Sequence, residues 1–293
     1  MFGTLLLLVS ACSAKADIEA GCRQDADPKL KLSQCSAAID SGRWSGKDLA
    51  WAYDNRGSAH TSLERYRPAI VDYDRALQLD PGVGRTYFNR GKLYLGADQF
   101  KKAIADFDRA IELEADFSEA YEERGFANSK LGRDNLALDD YNQALRLGEQ
   151  SAITYHRRGI VYRKLARHED AFSDFEQALV LAPGLAAAYV DRGILSDQLG
   201  QHDNAIDDFD LALELKPNLA RAYYHRGRAY RSLGQPERTF RDWESMIGTD
   251  SATWTYWWQN RLARKGYYSN PLDSWYDDST RSALLACARD PAC

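Results

Sequence analysis

Apolar and polar positions along this chain follow a helical period. In "QFKKAIADFDRAIEL" the apolar residues Phe100, Ala103, Ile104, Phe107 and Ile111 recur on one face, with charged residues between them. Segments of this kind return throughout the chain and predict short amphipathic helices taken in pairs. One such pair cannot bury its apolar face alone, so neighbouring pairs must stack to make a core.

The pattern repeats at a fixed interval. Arg-Gly pairs end at Gly57, Gly91, Gly125, Gly159, Gly193 and Gly227, each 34 residues after the last. A tyrosine stands four residues before each glycine (Tyr53, Tyr87, Tyr121, Tyr155, Tyr189, Tyr223), and an aromatic sixteen after it (Tyr73, Phe107, Tyr141, Phe175, Phe209, Trp243). Small residues fill two more places in the frame, Ala69, Ala103, Ala137, Ala171 and Ala205, then Ala76, Ala110, Ala144, Ala178 and Ala212, while Pro81, Pro183 and Pro217 close three units. The glycines and alanines are expected to let paired helices approach closely, with the aromatics filling the space between them. The repeated arginines (Arg56, Arg90, Arg124, Arg158, Arg192, Arg226) invite a reading as a ligand ladder. Acidic residues flanking the aromatics, as in Asp106-Phe107-Asp108, are the expected partners instead.

Over residues 50–253 this frame resembles the tetratricopeptide repeat family, with arginine where a leucine usually precedes the glycine. The resemblance implies an all-α right-handed superhelix of six helix-turn-helix repeats with a concave groove. It also implies which positions line that groove, namely 2, 5, 9, 12 and 13 of each first helix, counting Tyr53 and its equivalents as position 4. The basic members are then Arg85, Lys92, Lys130, Arg163, Lys164, Arg221, Arg228 and Arg231, against the acidic Asp54, Glu119, Glu122 and Asp197. Trp51, Phe88, Phe126, Ile160 and Tyr224 add apolar anchors. A net-basic groove favours a protein or peptide segment of acidic character through steering and rim pairing. The family's clamp of Lys and Asn on a peptide C-terminus is not reproduced, since positions 5 and 9 carry Asp54 and Ser58 in the first repeat and Phe88 and Lys92 in the second.

Both ends leave the frame. "DPKLKLSQCSAAIDSG" reads as a capping helix opened by Pro28 and stopped at Gly42, within a 17–49 segment. The sixth repeat drifts, with Thr239, Trp243 and Met246 standing where small, aromatic and small residues are expected, so this repeat is expected to face something other than another repeat. Residues 254–293 carry a second frame, Gln259, Leu262, Gly266-Tyr267-Tyr268, Asp273, Thr280 and Ala283-Leu284. It resembles a shortened small helical peptidoglycan-binding domain, in which a Q-x-x-L helix ends in G-Y-Y and T-x-x-A-L begins the next. Ser279 or Thr280 is expected to cap that second helix. The resemblance makes Tyr267, Tyr268, Asp273 and Trp275 candidates for cell-wall contact. Asn270, Ser274 and Asp277 stand where that family has turn glycines, and a terminal cap seated on the last repeat is the alternative reading.

Composition narrows the picture further. With 38 basic and 43 acidic residues in 293, the chain lacks the charge of a dedicated nucleic-acid binder. "FGTLLLLVSACSAKA" has the composition of a secretory signal over residues 1–16, too short to span a bilayer. Ala14-Lys15-Ala16 offers the preferred cleavage site, and Val9-Ser10-Ala11-Cys12 offers a lipobox in which Cys12 would be acylated. Four cysteines remain in either case, and in an exported, periplasmic or secreted chain they read as the bridges Cys22–Cys35 and Cys287–Cys293, each contributing about 2–3 kcal/mol. Metal-ligand spacing is missing, as are the motifs of nucleophilic, phosphate-binding and calcium-binding sites. The expectation is a scaffold without enzymatic activity or cofactor. Its alternatives are a cell-wall adaptor and a lipid-anchored assembly factor.

Overall fold

A computed structural model describes residues 19–23, 27–148 and 150–293. The signal segment and Cys12 lie outside the described residues. All regular structure described is helical, and the chain divides into two compact units, with the boundary in sequence near residue 150.

In the first unit a helical stretch at 19–23 is joined by the Cys22–Cys35 disulfide to α1 (Pro28–Asp40). Asp27 caps α1 by accepting from the Leu30 amide, and Pro28 supplies the preset backbone of the first turn. α1 packs on α2 (Ala50–Ser62), and three helix pairs follow: α2 with α3 (Tyr66–Leu79), α4 (Gly84–Gly96) with α5 (Phe100–Leu113), and α6 (Ser118–Lys130) with α7 (Asp134–Leu147). In the second unit α8 (Ala152–Lys164) pairs with α9 (His168–Leu181), α10 (Ala186–Gln198) with α11 (His202–Leu215), and α12 (Ala220–Ser232) with α13 (Pro236–Thr249). Two further helices, α14 (Ser251–Arg264) and α15 (Asp278–Arg289), pack on α13.

The glycine of each repeat does what its spacing predicts. A Cβ on Gly57, Gly91, Gly159 or Gly193 would stand 2.7–2.8 Å from the ring of Tyr73, Phe107, Phe175 or Phe209, so no larger residue fits without moving the second helix. The frame alanines are buried around the same rings.

The repeated arginines are structural. Each guanidinium reaches the aspartate that precedes the next aromatic, sixteen residues on: Arg56 to Asp72, Arg90 to Asp106, Arg124 to Asp140, Arg158 to Asp174, Arg192 to Asp208 and Arg226 to Asp242. Arg90, Arg124 and Arg226 also reach back sixteen residues to Asp74, Asp108 and Asp210 of the preceding repeat. One side chain thereby ties the two helices of its own repeat and joins that repeat to its neighbour. The hydrogen bond to Asp208 holds Arg192 above its ordinary range, while burial pushes Asp208 upward against it.

The sixth repeat meets the tail. Trp243 stacks on Trp258 of α14, with ring centroids 4.7 Å apart, in a core that also holds Met246, Leu262, Tyr268, Leu284 and the Cys287–Cys293 disulfide. Glu244 occupies the place that Asp74, Asp108 and Asp210 hold in earlier repeats. With no seventh arginine to receive it, it accepts from Tyr276 Oη at 2.9 Å and Arg281 Nε at 3.1 Å.

Candidate functional site

Two surfaces carry the chemistry singled out by the sequence, the first-helix faces of the repeats and the tail loop.

In the first unit Arg85, Lys92 and Lys130 are exposed. Arg85 lies over the Phe117 ring at 4.4 Å and 3.9 Å from Glu119, and Lys130 lies over the half-buried Phe126 at 5.0 Å. Phe88 departs from expectation. It is 6 % exposed and packs against Phe107 and Phe117 inside the core, so it is not a groove anchor. A large aromatic at this position gains more by filling the space beside Phe107 than by facing water. Lys92 borders a cleft of about 570 Å³ lined also by Ser58, Thr61, Tyr66, Arg67 and Asn89.

In the second unit the first helices α8, α10 and α12 are joined by a residue that the groove positions omit. Asp191 of α10 is 1 % exposed and accepts from His156 of α8 at 2.9 Å and Arg221 of α12 at 3.2 Å, with Arg163 of α8 at 3.8 Å. Burial alone would raise its carboxyl. The hydrogen bonds from His156 and Arg221 overcome that and hold it below the usual range. Burial lowers Arg163, partly countered by Asp191, and leaves its Nε buried without a hydrogen-bond partner. His225 sits among these charges. Burial, then Arg221 and Arg228, push its pKa down to about 4. Lys164 and Arg228 are exposed, Arg231 is half-buried over the Trp243 ring at 5.4 Å, and Tyr224 stands edge-on to Trp257 at 5.6 Å. Asp197, the acidic groove member here, is drawn to His202 at 2.8 Å. This face therefore presents several guanidinium and ammonium groups and no carboxylate that is not already shared.

The tail loop is organised by Gln259, which is fully buried. Its Oε1 accepts from the amides of Asp273 and Ser274 at 3.1 and 3.2 Å. Its Nε2 lies 2.9–3.1 Å from Tyr268 Oη, Asp273 Oδ1, the Trp275 carbonyl and Thr280 Oγ1, more acceptors than two N–H groups can serve. Tyr268 is buried in the core, Asp273 is committed to Gln259 and to the Trp275 amide, and Tyr267 donates to Asp290. Of these three candidates for cell-wall contact Tyr268 is turned inward, while the exposed Asp273 and the half-buried Tyr267 have their polar atoms engaged within the protein. Trp275 alone among the four is freely presented, 73 % exposed. The cap of α15 is Asp277, not Ser279 or Thr280. Asp277 has extended backbone and accepts from the Thr280 amide at 2.7 Å, one residue before the first turn. Of the three residues at turn-glycine places, Ser274 adopts the left-handed region, with φ of 63°.

Among the described residues no group of three His, Cys, Asp or Glu side chains converges as a metal site, and no helix is long and apolar enough to cross a membrane.

Comparison with known proteins follows the repeat frame. Sequence profiles of the tetratricopeptide repeat match residues 52–82, 84–117, 152–184 and 198–234. No curated protein matches the chain by sequence. Among solved structures, a tetratricopeptide repeat protein from Parabacteroides merdae superposes with a TM-score of 0.62 at 16 % identity, covering 95 % of this chain and 96 % of that one. PilW, a type IV pilus biogenesis factor, gives 0.63 at 18 % identity over 68 % of this chain and 93 % of its own. MamA gives 0.51 at 27 % identity over 56 % of this chain and 96 % of its own.

Proposed function

The chain belongs to the tetratricopeptide repeat family, and on that footing we propose that it is a non-enzymatic scaffold that holds an acidic segment of a partner protein on its first-helix faces. The carrying observation is the charge of α8, α10 and α12, where Arg163 stands 3.8 Å from a buried carboxylate already shared by His156 and Arg221, and Lys164 and Arg228 are exposed on the same first helices. A net negative chain has gathered cations on this face, the arrangement that speeds encounter with an acidic partner and sets its register. The Cys22–Cys35 and Cys287–Cys293 disulfides support reading the scaffold as an exported protein, because such bridges persist in oxidising compartments.

The test is fluorescence anisotropy with a labelled hexaglutamate peptide. Arg163→Glu with Lys164→Glu in one unit, and Lys92→Glu with Lys130→Glu in the other, should each weaken binding several-fold, and added salt should weaken it further. Unchanged binding in both double variants refutes the reading.

A second reading rests on Trp275. An indole held outward by a loop pinned at Gln259 is suited to stack on a sugar ring, and a cell-wall adaptor would use it so. Co-sedimentation with insoluble sacculi that is lost in Trp275→Ala supports this reading, and an intact protein that stays in the supernatant rejects it.

A further inference from the structure

The ladder arginines contrast with three others in the second unit. Those of the ladder are each satisfied by one or two aspartates. Arg228, Arg231 and Arg261 make no hydrogen bond or ion pair among the described residues, although Arg231 Nη1 and Arg261 Nε are both buried. A buried guanidinium N–H without a partner is costly, and several of them near one another repel.

They are near one another. Arg228 and Arg231 are three residues apart on α12, a spacing that puts both on one face. Burial lowers Arg231, and Arg228 and Arg261 lower it further. The aromatic residues fix their positions. Arg231 lies 5.4 Å over Trp243, Trp243 stacks on Trp258, and Arg261 lies 5.6 and 6.0 Å from the rings of Trp257 and Trp258. Guanidinium groups held against rings in this way are oriented before any ligand arrives, so little rotamer entropy is lost on binding. The acid facing Arg231 is Asp290, which is already engaged by Tyr267. On its other side Arg261 borders a cavity of about 520 Å³ whose charged lining residues are Arg261, Arg264 and Lys265.

We propose that Arg228, Arg231 and Arg261 form an oxyanion site for a tetrahedral dianion, a phosphoryl group, at the junction of the last repeat and the tail. Asp290 answers Arg231, and Arg228 and Arg261 bring two further positive charges with no carboxylate of their own among the described residues. A dianion meets both, and its oxygens suit the forked donors of arginine better than a single carboxylate does. The site needs no acidic protein segment, and it lies on residues other than those that test the scaffold reading.

The experiment titrates inorganic phosphate into the oxidised full chain, following tryptophan emission and the His225 imidazole by NMR. His225 faces Arg221, Arg228, Arg163 and Asp191, so a dianion beside Arg228 raises its pKa from about 4. Saturable phosphate binding, weakened at least tenfold in Arg261→Gln and in the exposed Arg228→Gln but retained in Arg238→Gln, supports the site. Loss of phosphate response in the wild-type chain, or equal binding in all three variants, overturns it. Arg228→Gln lies on the surface, so its circular dichroism should match the wild type and separate lost binding from lost folding. A phosphoserine heptapeptide run beside free phosphate identifies the source. Tighter peptide binding assigns the group to a protein segment and equal binding assigns it to the free ion. Loss of hexaglutamate binding with phosphate binding intact would remove the scaffold reading alone, and the converse would remove this site alone.

Discussion

Gly91 and Gly96 lie in the same helix, α4, and alanine at each separates close helix approach from helix propensity. At either place alanine gains up to about 1 kcal/mol from propensity and from a less entropic unfolded chain. Their surroundings differ. A Cβ at Gly96 meets no heavy atom within 4 Å, whereas at Gly91 it would stand 2.7 Å from Phe107 Cε1, 3.0 Å from Cδ1 and 3.2 Å from Asp106 Cβ. Carbon contacts are comfortable near about 3.5–4.0 Å, so α5 must withdraw by most of an ångström or the ring must leave its rotamer. Phe107 is fully buried against Phe88 and has no room to turn, and withdrawal of α5 stretches the Arg90–Asp106 pair as well. Overpacking of this kind costs about 1–3 kcal/mol. Gly91→Ala should therefore lose about 1–2 kcal/mol net, and Gly96→Ala, at the last helical residue, should be neutral or gain a few tenths. Urea denaturation of the oxidised protein, followed by far-ultraviolet circular dichroism with midpoints and slopes compared, is the assay. A Gly91→Ala midpoint equal to or above that of Gly96→Ala would refute the reasoning.

Four other outcomes are expected. Arg90→Met strands the buried Asp106 and should cost about 3 kcal/mol in thermal or chemical unfolding, part of which Asp106→Leu in the same chain restores. His225 is neutral when folded down to about pH 4 and takes up a proton near pH 6.5 when unfolded, so its contribution is complete above about 6.5 and is lost as the pH falls toward 4. His225→Gln should flatten the fall in melting temperature over that window, by an amount worth up to about 3 kcal/mol; Asp208 and Asp242, raised by burial, act with the opposite sign, adding stability as the pH falls, but do so in both proteins and cancel in the comparison. Gln259→Leu removes the bonds that hold residues 268–280, and limited proteolysis should then cut in that loop while the repeats stay intact. Ser274→Gly relieves a left-handed backbone and should raise the melting temperature by an amount worth about 1 kcal/mol.

What the sequence disclosed and what it withheld follow from the range over which each interaction acts. The repeats were legible because every partner recurs at a fixed offset. The glycine meets its aromatic, and the arginine its aspartate, sixteen residues on, and six copies of one geometry make the period visible. Asp191 escaped because it has no copies. Its importance arises from His156 and Arg221, 35 and 30 residues away on other helices, and no single repeat contains that information. Phe88 was misplaced for a related reason: a position that faces a groove on average turns inward when its side chain is large and a cavity beside Phe107 and Phe117 is open to it. In the tail the frame Gln259, Tyr268, Asp273 and Thr280 was visible, but residues that recur in a binding family recur for folding as well, and here they spend their hydrogen bonds on one another. The offset of sixteen also separates one of the unpaired arginines from the ladder. Sixteen residues beyond Arg231 stands Ile247, where every ladder arginine has an aspartate, whereas the same offset from Arg261 reaches Asp277. The offset therefore marks Arg231 and is silent on Arg261, whose buried Nε without a partner only the three-dimensional packing of α14 against the last repeat discloses.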